Sequence, residues 1–338
     1  MIRVYWVKGF FLKDYFPFKG FTGFTVRGAL GKALRDLVCL TDNSVNCLTC
    51  PYYSECFYAR LFEATPLLKP SASIGVRGCR AGIPKPYTVT PARVRENSLE
   101  FRVTLLSKEF IEKEALIIMA ILKMGDLGLG FDLLKKERRK FKVARITASN
   151  PLGDTWEVFG VRGYVSSPKC RVKRLYDFFE KRILALIDLK PLTITLDFRT
   201  PFRLEVNGKV SEKPSLEEII AHLARKYSLL AEYYDMGQPL TPQQVKKLKK
   251  IIVKYTDLIN FNYRKTRLYK ISIETESKKI FGTYVIGKYT YRFSREIWRL
   301  EEVKTILFLL MLGEYVNIGK GATAGCGHYN LYVKTLTL

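Results

Sequence analysis

The sequence predicts an α+β protein of two tandem ferredoxin-like (RRM-like) βαββαβ domains, with a cysteine-rich insertion in the first. Three observations predict it. The order strand, helix, strand or hairpin, helix, glycine loop, strand is read in the first half and again in the second. Each half places its glycine loop between an apolar helix and a closing strand, at Gly125–Gly130 and Gly319–Gly327. With 338 residues, 47% of them hydrophobic and 13% aromatic, the chain has material for two packed cores.

The elements follow in order. Ile2–Phe11 is rich in Val, Tyr, Trp and Phe and reads as a first strand. Thr25 is placed to cap a helix over Val26–Val38, whose apolar face is Val26, Leu30, Ala33, Leu34 and Leu37. The insert Cys39–Cys56 follows, then a proline-punctuated loop to Pro91. Leu99–Leu106 alternates as a strand, Ile111–Met124 is a second helix, and Phe141–Ile146 closes the set. The expected boundaries are 1–150 for this domain, 151–189 for a connecting segment helical at its end, and 190–338 for the second domain.

In the second half Leu192–Leu204 is a strand broken at Thr200-Pro201. Ser215 and Glu218 form a capping box that opens a long helix ending at Gly237. Tyr269–Glu274 and Tyr284–Phe293 pair as a hairpin, Val303–Leu312 is an apolar helix, and Tyr329–Leu338 is the last strand. The run Lys246–Lys250 is read as a solvated extension between helix and hairpin.

Charge narrows the partner. Lys and Arg number 57 against 32 acidic residues, a formal +25. Such an excess repels itself unless a polyanion absorbs it, so nucleic acid leads and an anionic membrane surface is second. No apolar run reaches the ~20 residues that cross a bilayer, and Met1-Ile-Arg-Val-Tyr-Trp does not begin like a signal peptide. A cytoplasmic location is expected. Scarce glutamine and abundant lysine lean towards a thermophilic source.

Four glycines in nine residues, Gly319, Gly321, Gly325 and Gly327, let a main chain approach a ligand closely, and Lys320 beside Thr323 brings charge for a phosphate. These glycines are expected to serve binding more than folding. Lys135–Lys140, containing Arg138 and Arg139, adjoins the other glycine loop and is read as tracking phosphates together with Lys142 and Arg145. Tyr263, Arg264 and Arg267, set before the hairpin, mix stacking and charge as single-stranded RNA sites do, with core packing of Tyr263 an equal alternative. Cys39, Cys47, Cys50 and Cys56 have chelating spacing; a structural Zn²⁺ is favoured, while an iron–sulfur cluster and disulfides stay open. Cys79, Cys170 and Cys326 are read as packing residues.

The chain resembles the RAMP superfamily of CRISPR-associated proteins and, within it, the endoribonuclease family that processes the CRISPR precursor transcript. The stretches that carry this are Gly319-Lys-Gly321, Gly325-Cys-Gly-His-Tyr329, Gly125 with Gly128-Leu-Gly130, Phe24–Leu30, Cys56–Glu63 and Phe198-Arg-Thr-Pro201. The resemblance implies a metal-independent nuclease in which the 2′-OH attacks the adjacent phosphate, leaving a cyclic phosphate and a 5′-OH. Many members use a histidine on or after the first helix as acid or base. This chain has none between Met1 and Gly130; its two histidines are His222 and His328. The chemistry is therefore expected from Lys32 and Arg35, with Arg27 binding RNA beside them and Arg60 a weaker candidate. His328 is an auxiliary, and His222 a structural or exposed residue. The expected partners are CRISPR repeat RNA and other CRISPR-associated proteins, without a membrane; a homodimer stays open. The alternative is a non-catalytic RNA-binding RAMP subunit of an effector complex. A basic membrane-surface protein comes third, for want of an amphipathic anchor.

Overall fold

The computed structural model describes residues 1–13, 18, 20–41, 45–63, 83–132, 135–169, 172, 174–272 and 277–334. Cys79 and Cys170 lie outside the described residues. Two compact units emerge, the first from Met1–Lys69, Ala81–Arg171 and Tyr269–Lys279, the second chiefly from Val172–Leu268 and Ile280–Leu338.

The first unit begins with β1 (Ile2–Phe11), α1 (Gly23–Val38), β2 (Tyr87–Val89), β3 (Arg93–Arg95) and β4 (Ser98–Leu106). It continues through α2 (Lys108–Glu112), α3 (Glu114–Leu127), β5 (Phe131–Asp132) and β6 (Glu137–Arg138). It closes with β7 (Phe141–Ser149), β8 (Thr155–Gly160) and β9 (Gly163–Tyr164). The sheet order β2-β4-β1-β7 is that of a ferredoxin-like fold, extended by β8 and β9, with β3 also on β4. β1 is central, with Tyr5 and Val7 buried on one face and Ile2 and Val4 on the other, and α1 covers the sheet with Val26, Leu30, Ala33 and Leu34.

Four boundaries differ from expectation. α1 starts at Gly23, three residues early, so Thr25 lies inside it; Thr22 precedes it and donates its hydroxyl to the Ala92 carbonyl at 3.1 Å. The second helix is interrupted at Lys113. Gly125 belongs to α3: a Cβ there would stand on the Phe141 carbonyl, so this glycine allows a close helix–strand approach, not a loop. Finally, β8 and β9 lie in residues expected to be a connector, and pair into the first sheet.

The second unit contains α4 (Glu180–Leu189), β10 (Thr193–Phe198), β11 (Glu205–Val206), β12 (Lys209–Val210), α5 (Leu216–Tyr234), α6 (Pro242–Tyr255), β13 (Thr256–Ser272), β14 (Ser277–Phe293), α7 (Glu302–Val316) and β15 (Tyr329–Lys334). Its order β13-β14-β10-β15 repeats the ferredoxin-like pattern. Ser215 accepts from the Glu218 amide while Glu218 accepts from the Ser215 amide, the capping box read from sequence. Lys246–Lys250 falls in α6, a separate helix with its own box at Thr241 and Gln244. The hairpin strands are much longer than expected, and Tyr263, Arg264 and Arg267 lie on β13 instead of before it.

Candidate functional site

In the first unit, α1 and an aromatic wall define a polar cluster. Tyr58 and Phe62 stack in parallel with centroids 5.3 Å apart, and Phe62 meets Tyr87 at 4.5 Å. Arg27 reaches this wall from α1: its Nε donates to the Tyr87 hydroxyl at 3.0 Å, and its guanidinium lies 5.9 Å from the Phe62 ring. Two helical turns on, Arg35 sits 5.9 Å from the Tyr58 ring and donates to the Val45 carbonyl at 2.7 Å. Lys32 does not join them. It is exposed and pairs with Asp36 at 3.7 Å, one turn along the same helix. Arg60 is engaged by Glu109 at 2.6 Å.

Lys85 joins this cluster, and sequence reasoning missed it. Burial pushes its ammonium down to about 8, the Arg27 cation adds to that, and Glu63 opposes it. Burial and then the Glu63 carboxylate push the Tyr58 phenol up to about 12. The signal available in the sequence was Pro84-Lys85-Pro86, a lysine pinned between two prolines just before a strand. A lysine with a pKa near 8 can hold or release a proton around neutral pH, while two arginines supply fixed positive charge.

In the second unit, the loop after α7 is built from within. Gly319, Gly321, Gly325 and Gly327 all have φ between +75° and +87°. A Cβ on Gly321 would lie 2.9 Å from the Cys326 sulfur. The Gly319 amide donates to His222 Nε2 at 3.0 Å, the Lys320 amide to the Arg203 carbonyl at 2.9 Å, and the Gly327 amide to the Pro201 carbonyl at 2.9 Å. The glycines therefore shape the fold as well as the surface, whereas the sequence reading expected them to serve binding more than folding. Lys320 is exposed, but its ammonium meets Glu205 at 2.6 Å, and Arg203 meets the same carboxylate at 2.7 Å. These two cations, Lys320 first, hold the Glu205 carboxyl below its usual range. Thr323 is half-exposed in a single 3-10 turn, Ala322–Ala324.

Both histidines are part of this framework. His222 takes the Gly319 amide, and burial pushes its pKa down to about 3. His328 Nδ1 lies 3.1 Å from the Glu314 carbonyl, its own amide donates to Thr200 Oγ1, and its carbonyl accepts from the Arg199 amide. That tethering fixes His328 just before β15.

Arg138 and Arg139 separate. Arg138 is exposed on β6, whereas Arg139 is 7% exposed. Arg139 pairs with Asp132 at 3.6 Å, donates to the Phe131 carbonyl at 2.8 Å, and lies 4.6 Å from the Phe18 ring. The expectation of RNA contact is corrected for Arg139: the alternation of the chain turns it inward. Arg264 is exposed on β13, and Tyr263 beside it donates to Glu212 at 3.0 Å and stacks on Tyr289. Cys39, Cys47, Cys50 and Cys56 are half-buried free thiols lining one cavity, whereas Cys326 is buried with its thiol pushed up to about 12 by desolvation.

Residues 196–329, from β10 through the glycine loop, match the model of the CRISPR-associated endoribonuclease Cas6. Residues 5–169 match the AF_1859_N N-terminal domain. A Cas6 product complex shares the fold at a TM-score of 0.55 and 15% identity, with 98% of this chain and 100% of that one covered. Thermus thermophilus Cas6 gives 0.53 at 14% identity, with 98% of both chains covered. A chain of a partial Cas6-RT-Cas1–Cas2 complex gives 0.53 at 13%, over 99% of this chain and 46% of that one. No curated protein matches the chain in sequence. Among the described residues no helix is long and apolar enough to cross a membrane. The chain shares the double ferredoxin-like fold of these Cas6 structures, and its residues 196–329 are similar to the Cas6 endoribonuclease family.

Proposed function

We propose that the protein is an endoribonuclease that cuts CRISPR precursor RNA at its repeats, without a divalent metal. The observation that carries this reading is the similarity of residues 196–329 to the Cas6 endoribonuclease model, and half-buried Lys85, its pKa lowered to about 8 by burial and then by Arg27, supplies a candidate acid–base group. In the proposed reaction the RNA 2′-oxygen attacks the adjacent phosphorus while Lys85 takes its proton. The bond to the 5′-oxygen breaks, Lys85 returns a proton to that oxygen, and the products are a 2′,3′-cyclic phosphate and a 5′-OH. Arg27 and Arg35 offset the negative charge that grows on the phosphoryl oxygens. Lys320, Arg138 and Arg264, all exposed, hold the RNA backbone.

Single-turnover cleavage of repeat RNA in EDTA tests this. Lys85→Ala should slow the cut by roughly 10²–10⁴, the range for loss of general acid–base catalysis. Arg27→Ala and Arg35→Ala should each cost about 10²–10³, with Lys32→Ala and His328→Ala near wild type. A full rate in Lys85→Ala would end the assignment. A second reading, a non-cleaving RNA-binding subunit, is favoured by the lack of any histidine between Met1 and Gly130. Tight RNA binding with no cleavage, in EDTA or in Mg²⁺, would establish it.

A further inference from the structure

The cysteine cluster adjoins the proposed RNA site through Arg35. Its four thiols come from three short segments. Cys39 caps the end of α1, Cys47 and Cys50 bracket a 3-10 turn in which the Cys50 amide donates to the Cys47 carbonyl, and the Cys56 amide donates to the Tyr52 carbonyl at 2.9 Å. All four are free, and all four line one cavity of about 200 Å³. Its other walls include Val38, Val45, Phe57 and Leu116, an apolar setting, with Arg35 the cation at its edge. The Arg35 side chain also shares a hydrogen bond with the Cys39 sulfur.

The spread of these thiols decides what they hold. A zinc tetrahedron requires every sulfur ~2.3 Å from one point. Among the described residues no three His, Cys, Asp or Glu side chains converge in that way. Yet four thiols share a space with room for several waters, and a lone ion would leave most of it empty. An iron–sulfur cluster fits both facts, because each thiolate binds its own iron at the corner of an inorganic core. The nearby guanidinium offsets the negative charge that four thiolates bring. We propose that Cys39, Cys47, Cys50 and Cys56 ligate an iron–sulfur cluster of the [4Fe–4S] class, which staples the insert to the end of α1. The cluster would be structural: no electron transfer is invoked. Its seat fixes Arg35 and Tyr58, which line the same cavity.

The test is metal and sulfide analysis of the full chain purified without oxygen and reconstituted with ferrous iron and sulfide. The expected result is about four iron and four acid-labile sulfide per chain, with visible charge-transfer absorption. Cys47→Ser and Cys50→Ser should lose that absorption, and Cys326→Ser should keep it. About one zinc per chain without sulfide would overturn the proposal. So would four readily alkylated thiols and no iron after reconstitution. Because the wild-type stoichiometry decides by itself, a misfolded cysteine variant does not blunt the test.

Discussion

The Nε2 of His222, on α5, accepts the backbone amide of Gly319 at 3.0 Å, so a neutral imidazole anchors the first glycine of the C-terminal loop. Four residues along the same helix, buried Lys226 donates to the Val316 and Asn317 carbonyls at the end of α7. One helix face thus supports both sides of the turn from α7 into the loop.

The imidazole must be unprotonated to accept that bond. Burial, with the Lys226 and Arg225 charges added, pushes its pKa down to about 3 from an ordinary value of 6.5. A depressed folded-state pKa contributes stability above the unfolded value, and this is lost as pH falls from about 6.5 towards 3. Thermal melts of the wild type should decline over that window more steeply than those of His222→Gln, which keeps an acceptor without titrating. His222→Ala should cost about 1 kcal/mol or somewhat more at pH 7.5, for one orphaned part-buried amide. Parallel pH profiles in wild type and His222→Gln would sink the idea.

The pH–rate profile of cleavage should carry a limb near pH 8, with the rate rising as Lys85 loses its proton. Arg27 lowers that pKa by charge repulsion. Removing it in Arg27→Gln should therefore move the limb to higher pH, while a role limited to binding would leave the limb in place. Single-turnover rates across pH 6–10 distinguish the two.

Arg139 and Arg138 should behave oppositely. Arg139→Ala removes the buried cation that pairs with the Asp132 carboxylate and should destabilise the protein by roughly 3–5 kcal/mol. Arg138→Ala should leave the melting temperature within about a degree and reduce the salt dependence of RNA binding by about one unit of slope, the signature of one lost phosphate contact. Denaturation and salt-titrated RNA binding on both variants give the answer.

At the glycine loop, Gly321→Val forces a branched side chain into φ +76° and against the Cys326 sulfur. It should cost about 1–2 kcal/mol or more of stability before any question of binding arises. Glu205→Gln is the more informative change: it releases Lys320 and Arg203 from their shared carboxylate. Its affinity for RNA should rise several-fold at low salt. Unchanged affinity would place Lys320 outside the RNA path.

Much was legible along the chain because the signals are local. β1 follows from the aromatic and β-branched run at its own residues, and the start of α5 follows from Ser215 and Glu218 meeting across a single turn. The repeated order of elements predicted two ferredoxin-like units, and the dense glycines of the C-terminal loop are all at positive φ. The basic excess pointed to a polyanion without any coordinates.

Tertiary structure decided the rest, since those outcomes depend on which distant side chains come together. Arg27 and Tyr87 are sixty residues apart and meet only because β2 pairs with β4 beside α1. Lys85 owes its lowered pKa to burial first and to the Arg27 charge second, so Pro84-Lys85-Pro86 could mark the lysine but not its environment. Arg138 and Arg139 have the same charge and adjoining positions, yet the alternation of an extended chain sends one to solvent and the other onto Asp132. Propensity and capping act over a few residues and can be read from them; burial, and the pKa values and ion pairs that follow from burial, belong to the packed whole.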